Sequence, residues 1–257
     1  MVKKIFSLLI RYVPRKQLQR ISGIGLRMMG IFYYGHQVQC PICHRSYRVF
    51  LPYGRMNPRE NALCPSCLSL ERHRLIWLFL HRETNFFKQP FDVLHIAPEP
   101  CFIRRFERMH GDKYITADLE SPLAKVKMDI HQIPFNENSF DVVLCNHVLE
   151  HVENDIKAMT EIHRVLKPGG FAILQVPFFS PIQEITTEDT SITDPRERER
   201  LFGQDDHVRK FGKDYLKRIN QSGLQGETSS FANTFSDAEA KKYGISREEI
   251  LYLGRKK

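Results

Sequence analysis

The chain has 257 residues, of which 42% are hydrophobic and 26% are charged. This length allows one large and one small domain, and this composition excludes an intrinsically disordered chain. No apolar run approaches the roughly 20 residues of a membrane-spanning helix. The apolar N-terminus lacks a small-residue cleavage site and is soon followed by arginines, which argues against a secretory signal.

Positive charge is concentrated at the N-terminal end. The first 80 residues carry a net charge of +11, and residues 81–257 carry −3. Residues 1–39 alternate apolar clusters with basic residues, and this predicts one or two short amphipathic helices. Such helices either pack on the rest of the protein, which is commoner, or lie on an anionic membrane. The charge favours an anionic partner, nucleic acid or lipid, over a solvated basic face only weakly.

Two Cys-x-x-Cys pairs mark the next predicted module, residues 40–82. Four thiolates with 20 residues between the pairs predict one tetrahedral zinc site with a hairpin in between, and a redox dithiol pair is the alternative. A full set of four protein ligands leaves no position for water, so this zinc would be structural. A helix is expected over 68–82 and a linker over 83–90. The predicted ligands are Cys40, Cys43, Cys64 and Cys67.

Arginines and aromatic residues lie between the two cysteine pairs. They either contact phosphates and stack on bases, or cover a module that lacks a large core, and the second interpretation is slightly favoured. The residues concerned are Arg45, Arg48, Arg55, Arg59, Tyr47, Phe50 and Tyr53.

From residue 91 onward, apolar strand patterns alternate with helical patterns. This alternation predicts an α/β domain over 91–257 with a mostly parallel sheet. A Lys-Pro-Gly-Gly turn at 167–170 is expected to end the second helix. The predicted strands are 91–97, 113–117, 126–130, 140–145, 171–176, 228–231 and 250–253, and the predicted helices are 102–110, 153–166 and 209–223.

Two sequence runs carry a family resemblance. Residues 133–152 read IPFNENSFDVVLCNHVLEHV, and residues 161–176 read EIHRVLKPGGFAILQV. These runs resemble class I S-adenosylmethionine-dependent methyltransferases. The cysteine module followed by CPSCLSLERHRLIW and LHIAPEP looks like a bacterial branch of that superfamily. The resemblance implies a Rossmann-like methyltransferase domain, preceded here by a small zinc ribbon and the N-terminal helices.

The resemblance also implies a set of cofactor-binding residues. Asp118 matches the carboxylate that accepts hydrogen bonds from both ribose hydroxyls. Asp129 matches the residue beside the adenine amino group, and Ile130 would flank the ring. Asn146 and His147 follow the fourth strand and would face the transferred methyl group. In open α/β sheets, ligands bind beyond the carboxyl ends of the strands, where these residues are expected.

The first cofactor loop departs from the family pattern. The family has an acidic residue and then several glycines, which let the backbone approach the cofactor. Here His95 replaces the acid, and Ala97, Pro98, Glu99 and Pro100 occupy the turn. One hypothesis is that Glu99 supplies the missing carboxylate and binds the methionine ammonium group. The alternative is a loop that no longer binds cofactor, as in a non-catalytic scaffold.

A long polar segment, residues 178–203, is expected to form a substrate lid. Beyond it, His207 is a candidate general base and Arg209 a candidate substrate anchor, because an imidazole near neutral pH can take a proton from an acceptor. The plainer alternative for His207 is an exposed loop histidine.

The sequence therefore predicts methyl transfer to an oxygen or nitrogen of a small-molecule or glycan acceptor. The acidic balance of residues 81–257 favours this over an RNA acceptor docked through the basic zinc ribbon. A methyltransferase-like scaffold is the third alternative. The expected location is cytoplasmic, and contact between the basic N-terminus and anionic lipid at the inner face of the membrane is the alternative to packing of its helices on the protein.

Overall fold

The computed structural model describes residues 30–54 and 58–257. Residues 1–29 of the predicted helical segment 1–39, with their membrane contact, therefore lie outside the described residues, as does Arg55, and Tyr34–Gln39 at the end of that segment form a strand instead of a helix. No helix in the described ranges is long and apolar enough to cross a membrane. The chain divides into two compact units. Unit one comprises Met1–Thr84, Pro100–Phe102 and Ala232–Glu249, and unit two comprises Asn85–Glu99, Ile103–Phe231 and Ile250–Lys257.

Two small antiparallel strand pairs and a helix open unit one. Strands β1 (Tyr34–Gln39) and β2 (Ser46–Tyr47) pair with each other, as do β3 (Leu51–Tyr53) and β4 (Arg59–Leu63). The β3–β4 hairpin lies between the two cysteine pairs, which confirms the predicted hairpin. Helix α1 (Glu71–Arg82) begins three residues later than predicted. Leu68 has a φ of +62°, outside the helical region, so the helix cannot begin there.

A buried arginine ties the pieces of unit one together. Arg74 is fully buried on α1 and donates to the carbonyl oxygens of Ala62, Ser69 and Gly244 at 2.9, 2.8 and 2.6 Å. Its guanidinium also stacks over the ring of Phe50 at 4.3 Å. Burying a charge is costly unless it is paired or hydrogen-bonded. Nη1 and Nη2 of Arg74 make these bonds, which fix Gly244 against the N-terminal part of the unit, whereas Nε has no hydrogen-bond partner among the described residues.

The remaining elements alternate strands with helices. The strands are β5 (Val93–Ile96), β6 (Tyr114–Asp118), β7 (Val126–Lys127), β8 (Phe140–Cys145), β9 (Leu166–Ile173), β10 (Thr187–Glu188), β11 (Arg209–Lys210), β12 (Gln225–Ser229) and β13 (Leu251–Arg255). The helices are α2 (Pro100–His110), α3 (Asp155–Val165), α4 (Pro195–Phe202), α5 (Tyr215–Gln221) and α6 (Asp237–Tyr243), the last of which belongs to unit one.

A seven-stranded sheet forms the centre of unit two. Its order is β12-β13-β9-β8-β5-β6-β7. The five strands from β9 to β7 are parallel, whereas β13 is antiparallel to β9 and β12 is antiparallel to β13. The expected α/β fold with a mostly parallel sheet is confirmed.

The central strands are buried, which explains their continuous apolar sequence. All four residues of β5 are buried, as are five of the six in β8. Parallel strands covered by helices on both faces lack the alternation of half-exposed strands. Helix α3 contributes Ala158, Met159 and Ile162 to the same core. The carboxyl ends of β5, β6 and β8 are thereby held rigidly at one edge of the sheet.

Two predicted elements differ from the structure. The predicted helix 209–223 is wrong in its first part, because Arg209–Lys210 form β11 and only Tyr215–Gln221 are helical. Gly212 approaches the backbone of Ile185 so closely that a Cβ would lie 2.5 Å from it, and a continuous helix does not allow this approach. The fifth strand, predicted to begin at residue 171, begins at Leu166 in the structure. The Lys-Pro-Gly-Gly sequence, which was expected to form a turn, is part of this strand, β9.

Candidate functional site

Three neighbouring parallel strands end at the same edge of the sheet. Ile96 on β5 pairs with Ala117 on β6 and with Cys145 on β8. The residues that follow these pairs are therefore adjacent across the edge, and they include Asp118 and Asn146. This is the edge at which ligands bind in open α/β sheets.

The carboxylate of Glu99 lies at this edge and is held by two predicted site residues. Asn146 Nδ2 donates to Glu99 Oε1 at 3.1 Å, and His95 Nε2 donates to Glu99 Oε2. His95 is fully buried, and its Nδ1 lies 2.6 Å from the hydroxyl of Tyr114. With Nε2 protonated, Nδ1 accepts from that hydroxyl. The structure thus brings His95, Glu99 and Asn146 together in one hydrogen-bonded chain.

The loop that carries Glu99 keeps a tight turn without glycine. Ala97 adopts a φ of +51°, and its backbone N–H donates to the carbonyl of Ala117 at 2.9 Å. This left-handed conformation is the one that glycine adopts most readily. Pro100 at the first turn of α2 then starts the helix, with Glu99 at the N-cap. The backbone can therefore turn sharply beside β5 even though its residues depart from the family pattern.

Asp118 and Asp129 each use one carboxylate oxygen in their own turn. Oδ1 of Asp118 accepts from the backbone N–H groups of Glu120 and Ser121 at 2.7 and 2.6 Å. Oδ1 of Asp129 accepts from the backbone N–H of His131 at 2.8 Å, which lowers the pKa of this carboxyl. Ile130 is buried in the core of unit two. The predicted ribose and adenine roles of these residues stay predictions.

A cluster of histidines surrounds a buried glutamate just beyond β8. His147 has a φ of +54°, and its Nδ1 lies 3.2 Å from Oε1 of the fully buried Glu150. His151 Nε2 lies 4.0 Å from the same oxygen. Burial raises the pKa of Glu150, but the hydrogen bond and charge of His147 outweigh burial and leave this pKa below its ordinary value.

His207 joins this cluster from a distant part of the sequence. It is 1% exposed, and its ring centroid lies 4.8 Å from that of His151. Burial lowers its pKa. The alternative of an exposed loop histidine is therefore wrong, whereas its catalytic role stays a prediction. Glu150 and His151 were not predicted as site residues, although the spacing His-x-x-Glu-His was a visible signal.

Arg209 holds the turn that carries Glu150. Its buried guanidinium donates to the carbonyl oxygens of Leu149, Val152 and Glu153, and it also pairs with Glu188 at 3.0 Å. Arg209 is 1% exposed, and its donors are engaged by the protein itself. It therefore stabilises the local fold and does not fit the expected role of substrate anchor.

The four cysteines of unit one form two matching turns. The carbonyl of Cys40 accepts from the His44 N–H at 2.8 Å, and that of Cys64 accepts from the Leu68 N–H at 2.9 Å. His44 and Leu68 have φ angles of +61° and +62°. The Sγ atoms of Cys40 and Cys67 are 3.5 Å apart, and those of Cys43 and Cys64 are 3.7 Å apart. Zinc–sulfur bonds of about 2.3 Å place tetrahedral sulfurs about 3.8 Å apart, so the arrangement fits one zinc ion.

Two of the three aromatic residues proposed to stack on bases are buried in unit one. Tyr47 and Phe50 are 4% and 0% exposed, whereas Tyr53 is 46% exposed. The interpretation that these residues cover a small module therefore agrees with the structure for Tyr47 and Phe50.

The sheet order and the polar residues at its carboxyl edge are those of a Rossmann-like α/β fold. Residues 88–174 match the family model described as a methyltransferase domain. Over these residues the chain is similar to methyltransferase domains, in agreement with the sequence resemblance to class I S-adenosylmethionine-dependent methyltransferases.

Several known proteins are similar to this chain over part of their length. A demethylmenaquinone methyltransferase of Staphylococcus epidermidis is 43% identical over 61 residues, which are 24% of this chain and 25% of the relative. A tRNA U34 carboxymethyltransferase of Nautilia profundicola is 26% identical over 139 residues, 54% of this chain and 43% of the relative. The chain thus spans less than half the length of these curated relatives.

A solved structure of an S-adenosylmethionine-dependent methyltransferase from Mesorhizobium loti is also similar to this chain. It has a TM-score of 0.48 and 16% sequence identity, and the similarity covers 70% of this chain and 97% of that one.

Proposed function

We propose that this protein transfers a methyl group from S-adenosylmethionine to an oxygen or nitrogen atom of a small-molecule or glycan acceptor. The observation that carries the proposal is the hydrogen-bonded carboxylate of Glu99, joined to Asn146 beyond the adjacent ends of β5 and β8. When bound, the cofactor supplies a methyl group already activated by a positively charged sulfur. The protein then has to hold donor and acceptor close together and aligned.

Each cofactor-binding residue has a separate task in this proposal. Glu99, fixed by His95 and Asn146, pairs with the ammonium group of the methionine moiety. Asp118 accepts from the ribose hydroxyls, while Asp129 and Ile130 contact the adenine. A carboxylate suits the first task because a charge-assisted hydrogen bond is roughly twice as strong as a neutral one. The backbone turn at Ala97 lets the main chain pass beside the bound molecule.

The acceptor side is assigned to the turn beyond β8. Asn146 and His147 face the transferred methyl group, and His147 or His207 accepts a proton from the acceptor. A neutral or glycan acceptor is supported by the net charge of −3 on residues 81–257 and by the burial of Tyr47 and Phe50 in unit one.

We further propose that Cys40, Cys43, Cys64 and Cys67 bind one zinc ion. Their matching turns and sulfur separations support this assignment. Four protein ligands leave no position for water or substrate, so the zinc would stabilise unit one and take no part in methyl transfer.

Calorimetric titration of S-adenosylmethionine and S-adenosylhomocysteine into the zinc-loaded full chain tests the cofactor site. We expect micromolar binding, weakened about 10- to 100-fold in Glu99→Gln and in Asp118→Asn, because each change removes a charged acceptor. Glu107→Gln, on the same helix as Glu99, and Asp112→Asn, in the loop before β6, are the matched controls and should bind like the wild type.

The outcomes separate the alternatives. No binding to correctly folded protein would overturn the proposal in favour of a non-catalytic scaffold. Wild-type affinity in Glu99→Gln would remove the assigned role of that carboxylate. An RNA acceptor would be revealed by methylation of RNA together with binding that weakens steeply as salt rises, which a neutral glycan would not show.

A further inference from the structure

Glu150 is a fully buried carboxylate in a setting that ordinary packing does not explain. Both of its oxygens are inaccessible to water, and its closest ion-pair partner among the described residues, His147, contacts Oε1 alone. Nδ1 of His147 lies 3.2 Å from Oε1, and Nε2 of His151 lies 4.0 Å from it. Burying a charged group is costly unless it is paired or coordinates a metal. A cation among these side chains would satisfy the carboxylate.

In both His151 and His207, the Nδ1 atom of the ring faces a backbone carbonyl oxygen. His151 Nδ1 lies 3.2 Å from the carbonyl oxygen of Asp206 and 3.6 Å from its carboxylate. His207 Nδ1 lies 3.2 Å from the carbonyl oxygen of Phe202. Each Nδ1 therefore carries the proton and donates it, which leaves the Nε2 lone pair free to bind. Histidines that bind metals typically donate their other ring N–H in this way.

The lone pairs converge with the carboxylate. Nε2 of His207 is buried and has no hydrogen-bond partner among the described residues. One ligand atom from each of Glu150, His151 and His207 lies within 4.8 Å of the other two. Metal–ligand bonds of 2.0–2.2 Å would place such atoms about 3.3 Å apart, so the cluster would contract by up to about 1.5 Å around an ion.

The main chain holds the contributing segments in place. The backbone N–H of Val208 donates to the carbonyl oxygen of Glu150 at 2.9 Å. Arg209 binds the carbonyl oxygens of Leu149 and Val152, on either side of the two neighbouring ligands. Preorganised ligands of this kind favour metal binding because little order has to be imposed when the ion arrives.

We propose that Glu150, His151 and His207 bind one divalent first-row transition-metal ion, distinct from the zinc of the four cysteines. Two imidazoles and a carboxylate suit Zn²⁺, Co²⁺, Fe²⁺ or Mn²⁺. Three protein ligands leave at least one coordination position open to water or to an oxygen of a substrate, as in catalytic metal sites. A metal on Nε2 uses the lone pair of His207, so His207 then ceases to be a candidate general base and His147 remains one.

Co²⁺ titration of the full chain loaded with a single equivalent of zinc, which the four thiolates bind first, tests this site directly. We expect one equivalent of Co²⁺ to bind with visible d–d absorption and without the thiolate charge-transfer band that a cysteine site would give. The melting temperature should rise with Co²⁺, because a ligand that binds only the native state stabilises it. His151→Gln should weaken Co²⁺ binding at least about tenfold, and Glu150→Gln should do the same. His163→Gln, a partly exposed histidine on α3, is the matched control.

His151→Gln keeps the proposal falsifiable even if the buried variants misfold, since the His151 side chain is 35% exposed. The proposal is overturned if the wild type takes up no Co²⁺ beyond the cysteine site. It is equally overturned if folded His151→Gln binds Co²⁺ with wild-type affinity and the same rise in melting temperature. These measurements need no S-adenosylmethionine, so their failure leaves the proposed methyl transfer standing.

Discussion

Arg209 illustrates how a single buried residue can determine the geometry of a site that it does not itself form. Its guanidinium reaches three backbone carbonyls of residues 149–153 and the carboxylate of Glu188. Arginine carries five N–H donors in a planar fork, whereas lysine carries one compact ammonium group. Only arginine can therefore satisfy so many acceptors around the turn that carries Glu150 and His151.

Arg209→Lys is expected to lower the free energy of unfolding by about 2–4 kcal/mol, because it leaves buried carbonyls unsatisfied while the charge stays buried. Urea unfolding followed by circular dichroism measures the change. Arg200→Lys, an exposed arginine on α4 that pairs with Glu197, should alter stability by less than about 0.5 kcal/mol. Equal stability of the two variants would show that the contacts of Arg209 contribute nothing beyond its charge.

At the scale of an element, the end of α2 has a built-in sensitivity to pH. His110 is 3% exposed, and its Nδ1 accepts from the backbone N–H of Phe91 at 3.1 Å. The ring packs against Phe86 and Phe106 with centroids 4.4 and 6.3 Å away. Burial lowers the pKa of His110 to about 4 from its ordinary 6.5. The folded protein therefore holds the neutral imidazole, which is the form that can accept the hydrogen bond.

Unit two is expected to lose stability as the pH falls from about 6.5 to about 4. Over this range the unfolded chain binds a proton at residue 110 and the folded chain does not, so protonation favours unfolding. A difference of about 2.5 units corresponds to at most about 3 kcal/mol. His110→Asn retains a hydrogen-bond acceptor and does not titrate. Its unfolding free energy, measured in urea at several pH values, should fall less steeply than that of the wild type, and parallel curves would contradict this assignment.

The sequence predicted those elements whose local pattern and tertiary environment agree. Strand β8 was predicted with its observed bounds, and α3 within two residues, because their apolar residues face one continuous core. Helix α2 was also predicted within two residues. The start of α3 was predicted two residues too early, since the Asn154 side chain caps the helix by accepting from the Lys157 N–H. The helix predicted over 209–223 was wrong in its first part because Gly212 closely approaches Ile185. The periodicity of apolar residues in the sequence does not reveal this tertiary contact.

The candidate sites, like the elements, were predictable where a local sequence pattern identifies the residues and not where tertiary contacts bring them together. The cysteine ligands follow from spacing alone, and the strand-end residues follow from the resemblance. The hydrogen bond between Glu99 and Asn146 joins residues 47 positions apart, and the cluster of His151 and His207 joins residues 56 positions apart. Such pairs depend on how strands and loops assemble.

At the scale of the whole molecule, the two units differ in what stabilises them. Unit two has the seven-stranded sheet and its extended core. The described residues of unit one form four short strands, of which two contain only two or three residues, and a small core stabilises a fold only marginally. A zinc ion held by four cysteines would contribute folding free energy to unit one directly. The single tryptophan of the chain, Trp77, lies on α1 and is 7% exposed, so its fluorescence reports on unit one.

Removal of zinc is therefore expected to unfold unit one while the sheet of unit two persists. Cys43→Ala should lose the zinc, and the emission of Trp77 should shift to longer wavelength as the ring becomes exposed to water. Far-ultraviolet circular dichroism should retain the greater part of its signal, because most regular structure belongs to unit two. Cys101→Ala, which removes a buried thiol from unit one outside the four-cysteine cluster, should keep one zinc ion by metal analysis and retain the native emission. If Cys43→Ala lost zinc with no change in emission, the ion would not be what stabilises unit one, and its core alone would have to suffice.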